Sequence, residues 1–112
     1  MTIFEKIAAR EIPAKIIYET EDLLAFHDAH PQAPVHVLIV PKRHLVRLGE
    51  AGEIDAELLG RLLLAAPIVA RSEGIADSGY RVVINNGRDA GESVPHLHLH
   101  VLGGRALQWP PG

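Results

Sequence analysis

Residues 95–104, PHLHLHVLGG, constrain the chain more than any other stretch, because polar and aliphatic side chains alternate there without a break. Strict alternation is the two-residue period of a β-strand. It predicts that His96, His98 and His100 leave one face while Leu97, Leu99 and Val101 leave the other. The aliphatic face demands a core. Same-face neighbours on a strand stand roughly 7 Å apart, so three imidazoles in a row can surround one phosphate-sized group.

The remaining pattern supplies the rest of that core. Ile3, Phe4, Ile7 and Ala8 suit a short amphipathic helix that ends before Pro13. AKIIYE and LLAFHDA read as two strands joined by the polar turn Thr20-Glu21-Asp22. Pro31 and Pro34 bracket a loop, and VHVLIVPK then forms a near-continuous β-branched run suited to a central strand, with His36, Leu38 and Val40 on one face. From Glu50 to Glu73 the apolar positions Ile54, Leu58, Leu62, Ala65 and Val69 recur at helical spacing, with Pro67 predicting a kink and Gly74 a stop. YRVVIN is a fourth strand and NGRDAGES a glycine-containing loop that leads into the histidine strand. The 112 residues therefore predict a single domain, 1–112, of α+β class. It has a five-stranded, mainly antiparallel sheet, one long and one short helix, and the helices on one face.

Composition removes several functions. A formal charge of −3 leaves no cationic excess to neutralise many phosphates, which argues against nucleic acid as a partner. The absence of cysteine removes disulfides, thiolate nucleophiles and every cysteine-containing zinc motif. Glu5, Lys6, Arg10 and Glu11 interrupt any signal-peptide core and no apolar run has membrane-spanning length, so a cytoplasmic protein without a membrane partner is expected.

Three histidines on one strand face admit several chemistries. Any one imidazole can be a buried, hydrogen-bonded core residue, a role that suits His96 at the strand start better than His98. Two strand histidines with a third from His36 or His44 can bind zinc and leave one position open for water. Phosphate chemistry is favoured by the preceding loop, where Asn85, Gly87, Gly91 and Ser93 offer amide and hydroxyl donors. Near neutral pH one imidazole can attack phosphorus to give a covalent phosphoramidate while a neighbour stabilises charge. Lys42, Arg43, His44 and Arg47 read as a solvated turn.

HLHLHVL matches the pattern His-φ-His-φ-His-φ-φ, with φ apolar, and so resembles the histidine triad family. The resemblance extends through FHDAHPQAPVHVLIVPKRH, INNG, GESVPHLHLHVLGGR and the terminal WPPG, and is strongest toward the histidine triad nucleotide-binding proteins. It implies a homodimer whose two sheets join. It also implies a hydrolase that cleaves purine nucleoside phosphoramidates such as adenosine 5′-monophosphoramidate to AMP and amine, with no metal and no cofactor. His98 then corresponds to the nucleophile that is transiently adenylylated. His96 and His100 flank it, His100 contacts the phosphate, and His36 joins the cluster. Asp28 is expected on the ribose hydroxyls with Ala29 beside the sugar. Asn85, Gly91, Glu92 and Ser93 fall at the phosphate and leaving group, and Phe4, Ile7, Ile12 and Phe26 wall the purine. Glu92 stands where relatives often carry glutamine and Pro95 where they often carry an aromatic residue. A carboxylate facing an anion would repel it, so Glu92 is expected to offer its backbone amide and turn its side chain outward. Trp109 either caps the partner's site or pins the terminus. Two other readings remain open at this stage, a nucleotide-binding scaffold with incidental catalysis and a three-histidine zinc hydrolase.

Overall fold

A computed structural model describes all residues, Met1–Gly112. The short helix α1 spans Ile3–Ala8, the strands β1 Ile16–Glu19, β2 Leu23–His27 and β3 Val35–Pro41, the long helix α2 Ala56–Ser72, and the strands β4 Tyr80–Val83 and β5 Leu99–Gly103. The five strands form one sheet in the order β1-β2-β3-β5-β4, with every neighbouring pair antiparallel. The α+β class and the five-stranded antiparallel sheet thus stand as expected from the sequence.

The sheet is covered on both faces, which departs from the expectation of helices on one. Leu58, Leu62, Ala65, Ala66, Val69 and Ala70 of α2 pack with Leu23, Ala25, Val37, Ile39, Leu99 and Val101. On the opposite face Phe4 and Ile7 of α1 pack with Leu24, Phe26, Leu38 and Val40. Consecutive residues of β2 and β3 therefore serve two different cores, and this two-sided burial is why Leu23–Phe26 and Val37–Val40 are apolar without a break. At about 25 cal/mol per Å² of apolar surface removed from water, the larger layer under α2 contributes most of the burial energy.

Two boundaries also move. Single 3-10 turns occupy Leu48–Glu50 and Glu53–Asp55, so α2 starts six residues later than the spacing suggested, and it continues through Pro67. Ile54 falls before the helix and is 94% exposed rather than core. What ends the approach to α2 is Asp55, whose buried carboxylate accepts the Gly52 N–H at 2.9 Å and pairs with Arg43. No helix is long and apolar enough to cross a membrane.

Candidate functional site

The sheet face that carries α1 also carries the cleft. It encloses about 560 Å³ and is walled by Phe4, Ile7, Ile12, Phe26 and Val94, with Asp28, Ala29, Ser93, His98 and His100 at its polar end. The apolar wall exists because α1 lies across β2 and β3 without covering β5, which leaves an open end floored by histidine. Asn85, Gly91, Glu92, His36 and His96, all expected at the site, do not line the cleft.

The expectation of three imidazoles side by side needs correction at His96. The chain becomes regular strand only at Leu99, and the preceding residues are tied elsewhere, the Leu97 N–H to the Leu45 carbonyl at 2.7 Å. His96 is 1% exposed, and its Nε2–H donates to the Pro41 carbonyl at 2.8 Å. A carbonyl only accepts, so His96 Nδ1 carries a lone pair, which accepts from the Thr2 hydroxyl at 2.9 Å. His96 is the buried, hydrogen-bonded member, the role its place at the strand start favoured.

The same reasoning sets the other rings. His98 Nδ1 lies 2.7 Å from the His96 carbonyl and must donate to it, so in the neutral ring Nε2 holds the lone pair. Every buried side-chain nitrogen or oxygen has a partner, and His98 Nε2 has none, so that atom is open to the cleft. The Gln32 N–H donates to His36 Nδ1 at 3.0 Å, which puts the proton of neutral His36 on Nε2. His36 Nε2–H then donates to His100 Nδ1 at 2.9 Å, leaving His100 with an Nε2–H at the cleft. Asp28 Oδ2 stands 3.4 Å from His36 Nε2 and accepts the His30 N–H through Oδ1 at 2.8 Å. Backbone groups thus give two adjacent rings, 5.0 Å apart, opposite faces to the cleft, a lone pair on His98 and a donor on His100. The Phe4 ring sits 5.0 Å from the His98 ring, edge-on, and 5.7 Å from that of Phe26.

Burial pushes the pKa of His100 down to about 4, with His98 and His36 adding to the effect, and burial also lowers His36 and His96. Folded histidines held below their ordinary 6.5 bind fewer protons than unfolded ones in the window between the two values. Acidification through that window therefore favours the unfolded chain. The melting temperature should be level above pH 7 and fall steadily from pH 6.5 toward pH 4. The lowered carboxylates Glu5, Glu19, Asp22, Asp55 and Glu92 add their own loss only at lower pH. Calorimetric scans across pH check this, and a constant melting temperature between pH 7 and 5 would contradict it.

The loop before the histidines is tied down differently from the expectation. The Glu92 N–H donates to the Gly87 carbonyl at 3.1 Å, so its amide is not offered to the cleft. Its carboxylate, 12% exposed, turns neither to solvent nor inward. It accepts from Arg47 Nε at 2.9 Å and Nη2 at 3.0 Å, and from the Gly87 N–H at 3.0 Å. The hydrogen bonds to Arg47 and Gly87 hold its pKa at about 2. Asn85 donates to the Ala90 carbonyl at 2.8 Å and shapes the loop from within, while Gly91 takes a φ of 77°, a conformation that suits glycine. Arg47, read from sequence as part of a solvated turn, is the clamp on this loop, and its neighbours are engaged too. Lys42 pairs with Glu19, Arg43 with Asp55, and His44 Nε2–H donates to the Pro95 carbonyl at 2.7 Å. Trp109 is 81% exposed and lies outside the cleft.

Two groups have metal-ligating spacing, Glu5-His44-His96 and Asp28-His36-His100, each with two histidines and one carboxylate and neither including His98. A three-histidine centre around the strand therefore does not assemble. In the second group a metal on His36 Nε2 would force the proton to Nδ1, against the Gln32 N–H. In the first group His44 and His96 each spend Nε2–H on a backbone carbonyl, so a cation would be held through Nδ1 and would have to displace the Thr2 hydroxyl from His96 Nδ1. It lies behind the cleft, so its contribution there would be to structure. The Thr2-x-x-Glu5 capping box beside it has a plain sequence signature that the helix reading passed over, and Arg47–Glu92 had none.

The family model for the HIT domain matches residues 9–107. An uncharacterized HIT-like protein of Synechocystis sp. is 58% identical, covering 99% of this chain and 96% of its own. A 14 kDa zinc-binding protein of Zea mays is 53% identical over 99% of this chain and 88% of its own. The crystal structure of a HIT family hydrolase from Legionella pneumophila superposes with a TM-score of 0.97 at 46% identity, covering both chains in full. With the open imidazole pair seated on this fold, and with family model, relatives and structure all spanning the chain, it belongs to the HIT domain family and is a HIT hydrolase-like protein.

Proposed function

We propose that the chain is a purine nucleoside phosphoramidase that cleaves adenosine 5′-monophosphoramidate-type substrates to AMP and amine through a nucleotidyl-histidine. The observation that carries this reading is the pair of backbone-set tautomers, a nucleophilic His98 Nε2 beside a donating His100 Nε2–H. The apolar walls from Phe4, Ile7, Ile12 and Phe26 suit a purine, and Asp28 offers acceptor oxygens to ribose hydroxyls.

In the first step His98 Nε2 donates its lone pair to the α-phosphorus. The P–N bond to the leaving amine breaks, and the amine departs after taking a proton from water. The ring gains positive charge, and its Nδ1–H···O=C bond to His96 strengthens with it, a gain realised as the bond forms. His100 Nε2–H and the Ser93 hydroxyl are placed at the cleft to hydrogen-bond phosphoryl oxygens. In the second step water attacks phosphorus and gives up a proton to solvent, which balances the one the amine took, the P–Nε2 bond breaks, and AMP leaves with His98 restored. The metal-compatible group at Glu5, His44 and His96 takes no part in either step; a cation there would brace α1 against the strand.

The same reading includes a homodimer, since the outermost strands β1 and β4 leave ladder edges that a second copy can extend. Intact-protein mass spectrometry of wild type and His100→Gln, mixed with adenosine 5′-monophosphoramidate and a chelator, tests the chemistry. An adenylyl adduct mapping to His98 is expected. No adduct, with no AMP released by wild type, would overturn the reading and favour a scaffold.

A further inference from the structure

One side chain outside the cleft joins its two halves. Thr2 caps α1, its Oγ1 accepting the Glu5 N–H at 3.2 Å while Glu5 Oε1 accepts the Thr2 N–H at 2.8 Å. The same hydroxyl donates to His96 Nδ1 at 2.9 Å, across 94 residues of sequence. His96 in turn is anchored on β3 through Pro41 and offers its carbonyl to His98. We infer that Thr2 is a positioning residue: its hydroxyl latches the helix that walls the purine to the backbone that orients the nucleophile.

The latch matters because α1 has only six residues, too few to hold itself by its own hydrogen bonds. It is fixed by burying Phe4 and Ile7 and by Thr2 at its start. Phe4 and Ile7 are cleft wall as well as core, so a frayed α1 loosens the base site. His96 can receive the hydroxyl only while neutral, and burial, which lowers its pKa, favours that form. The groups that face it are the Phe4 ring and Glu5 from α1, His44 from the segment after β3, the Pro41 carbonyl, and His98 on its own strand segment. Glu5 favours its protonation, and His44 and His98 oppose it.

The inference rests on the phosphoramidase reading for its kinetic test and on nothing but the fold for its structural one. Thr2→Ser keeps both bonds. Thr2→Val loses both. Thr2→Asp keeps an acceptor for the Glu5 N–H and loses the donor to His96. With adenosine 5′-monophosphoramidate, Thr2→Ser should match wild type. Thr2→Val should raise KM about five- to tenfold with kcat within about twofold, the size of a lost cap felt at the base wall. Thr2→Asp should show the same rise, since the new carboxylate cannot donate to His96 Nδ1. In nucleotide-free protein, the amides of residues 5–8 should exchange with deuterium faster in Thr2→Val and in Thr2→Asp than in wild type. A Thr2→Asp variant equal to wild type in KM and exchange would overturn the latch and leave only a helix cap. So would a Thr2→Val defect confined to kcat. Should wild type not hydrolyse the phosphoramidate at all, the functional reading fails, and the exchange rates still decide the latch.

Discussion

Replacing His98 with alanine is expected to lower kcat/KM for adenosine 5′-monophosphoramidate by at least about 10⁴-fold, with the fold and AMP affinity close to wild type. The size follows from what is lost. Within the cluster His36, His96, His98 and His100 the variant keeps no open lone pair, because His100 presents Nε2–H and His96 and His36 have both ring nitrogens engaged. Loss of a nucleophile from a unit that acts together leaves only positioning and phosphate binding, so the residual rate falls by orders of magnitude. The structural cost is small by comparison. The His98 Nδ1–H bond to the His96 carbonyl is one net hydrogen bond, about 1 kcal/mol, and the lost ring leaves space beside a cleft that is already open. AMP affinity should hold because Asp28 and the apolar wall are untouched. Steady-state release of AMP, with calorimetric AMP binding on the same preparation, gives both numbers. A His98→Ala enzyme within tenfold of wild type would remove the covalent mechanism.

Much of this site was legible in the sequence, and the errors have physical causes. Alternation correctly put His98 and His100 opposite Leu99 and Val101, since the extended chain keeps its two-residue period for the residues just ahead of β5 as well as within it. The faces hold at His96 and Leu97 as well, Leu97 packing under α2 and His96 against the Phe4 ring, but periodicity carries no information about the hydrogen bonds to Thr2 and Pro41 that keep His96 out of the cleft. The second helix-bearing face was legible in principle. LLAF and VLIV are apolar at consecutive positions, and a strand with only one covered face would alternate. Ile54 matched the helical spacing by coincidence, four residues before Leu58. The Asp55 carboxylate, bonded back to Gly52, delays the helix start, and no apolar count registers that. The cleft's wall residues Phe4, Ile7, Ile12 and Phe26 were named from resemblance, whereas Leu38 and Val94 complete the wall from a strand and a loop whose approach is tertiary.

The Arg47–Glu92 pair has the same tertiary character, and it explains how a carboxylate is tolerated in a loop that meets phosphate. Glu92 sits next to Ser93, which lines the cleft, and His98 is among the groups that lower its pKa. Alone, such a charge would repel a phosphate and lower affinity. Bound at both oxygens by the Arg47 guanidinium, whose remaining nitrogen pairs with the exposed Glu50, the Glu92 charge is offset where it faces the cleft, and the bidentate fork also fixes where Glu92 points. Arg47→Ala should therefore raise KM for the phosphoramidate about tenfold, the effect of one uncompensated charge several ångströms from an anion in a partly screened site. The decisive comparison is the double variant. Glu92→Gln alone should stay within about twofold of wild type, since the amide can still accept from Arg47 and Gly87. In the Arg47→Ala background, Glu92→Gln should recover most of the lost affinity, because the charge that repelled the substrate is gone although the clamp is still missing. Raising ionic strength should narrow the Arg47→Ala defect and leave the double variant unmoved. A double variant as poor as Arg47→Ala, at low and high salt alike, would mean that Arg47 serves only to hold the loop's shape and that charge cancellation plays no part.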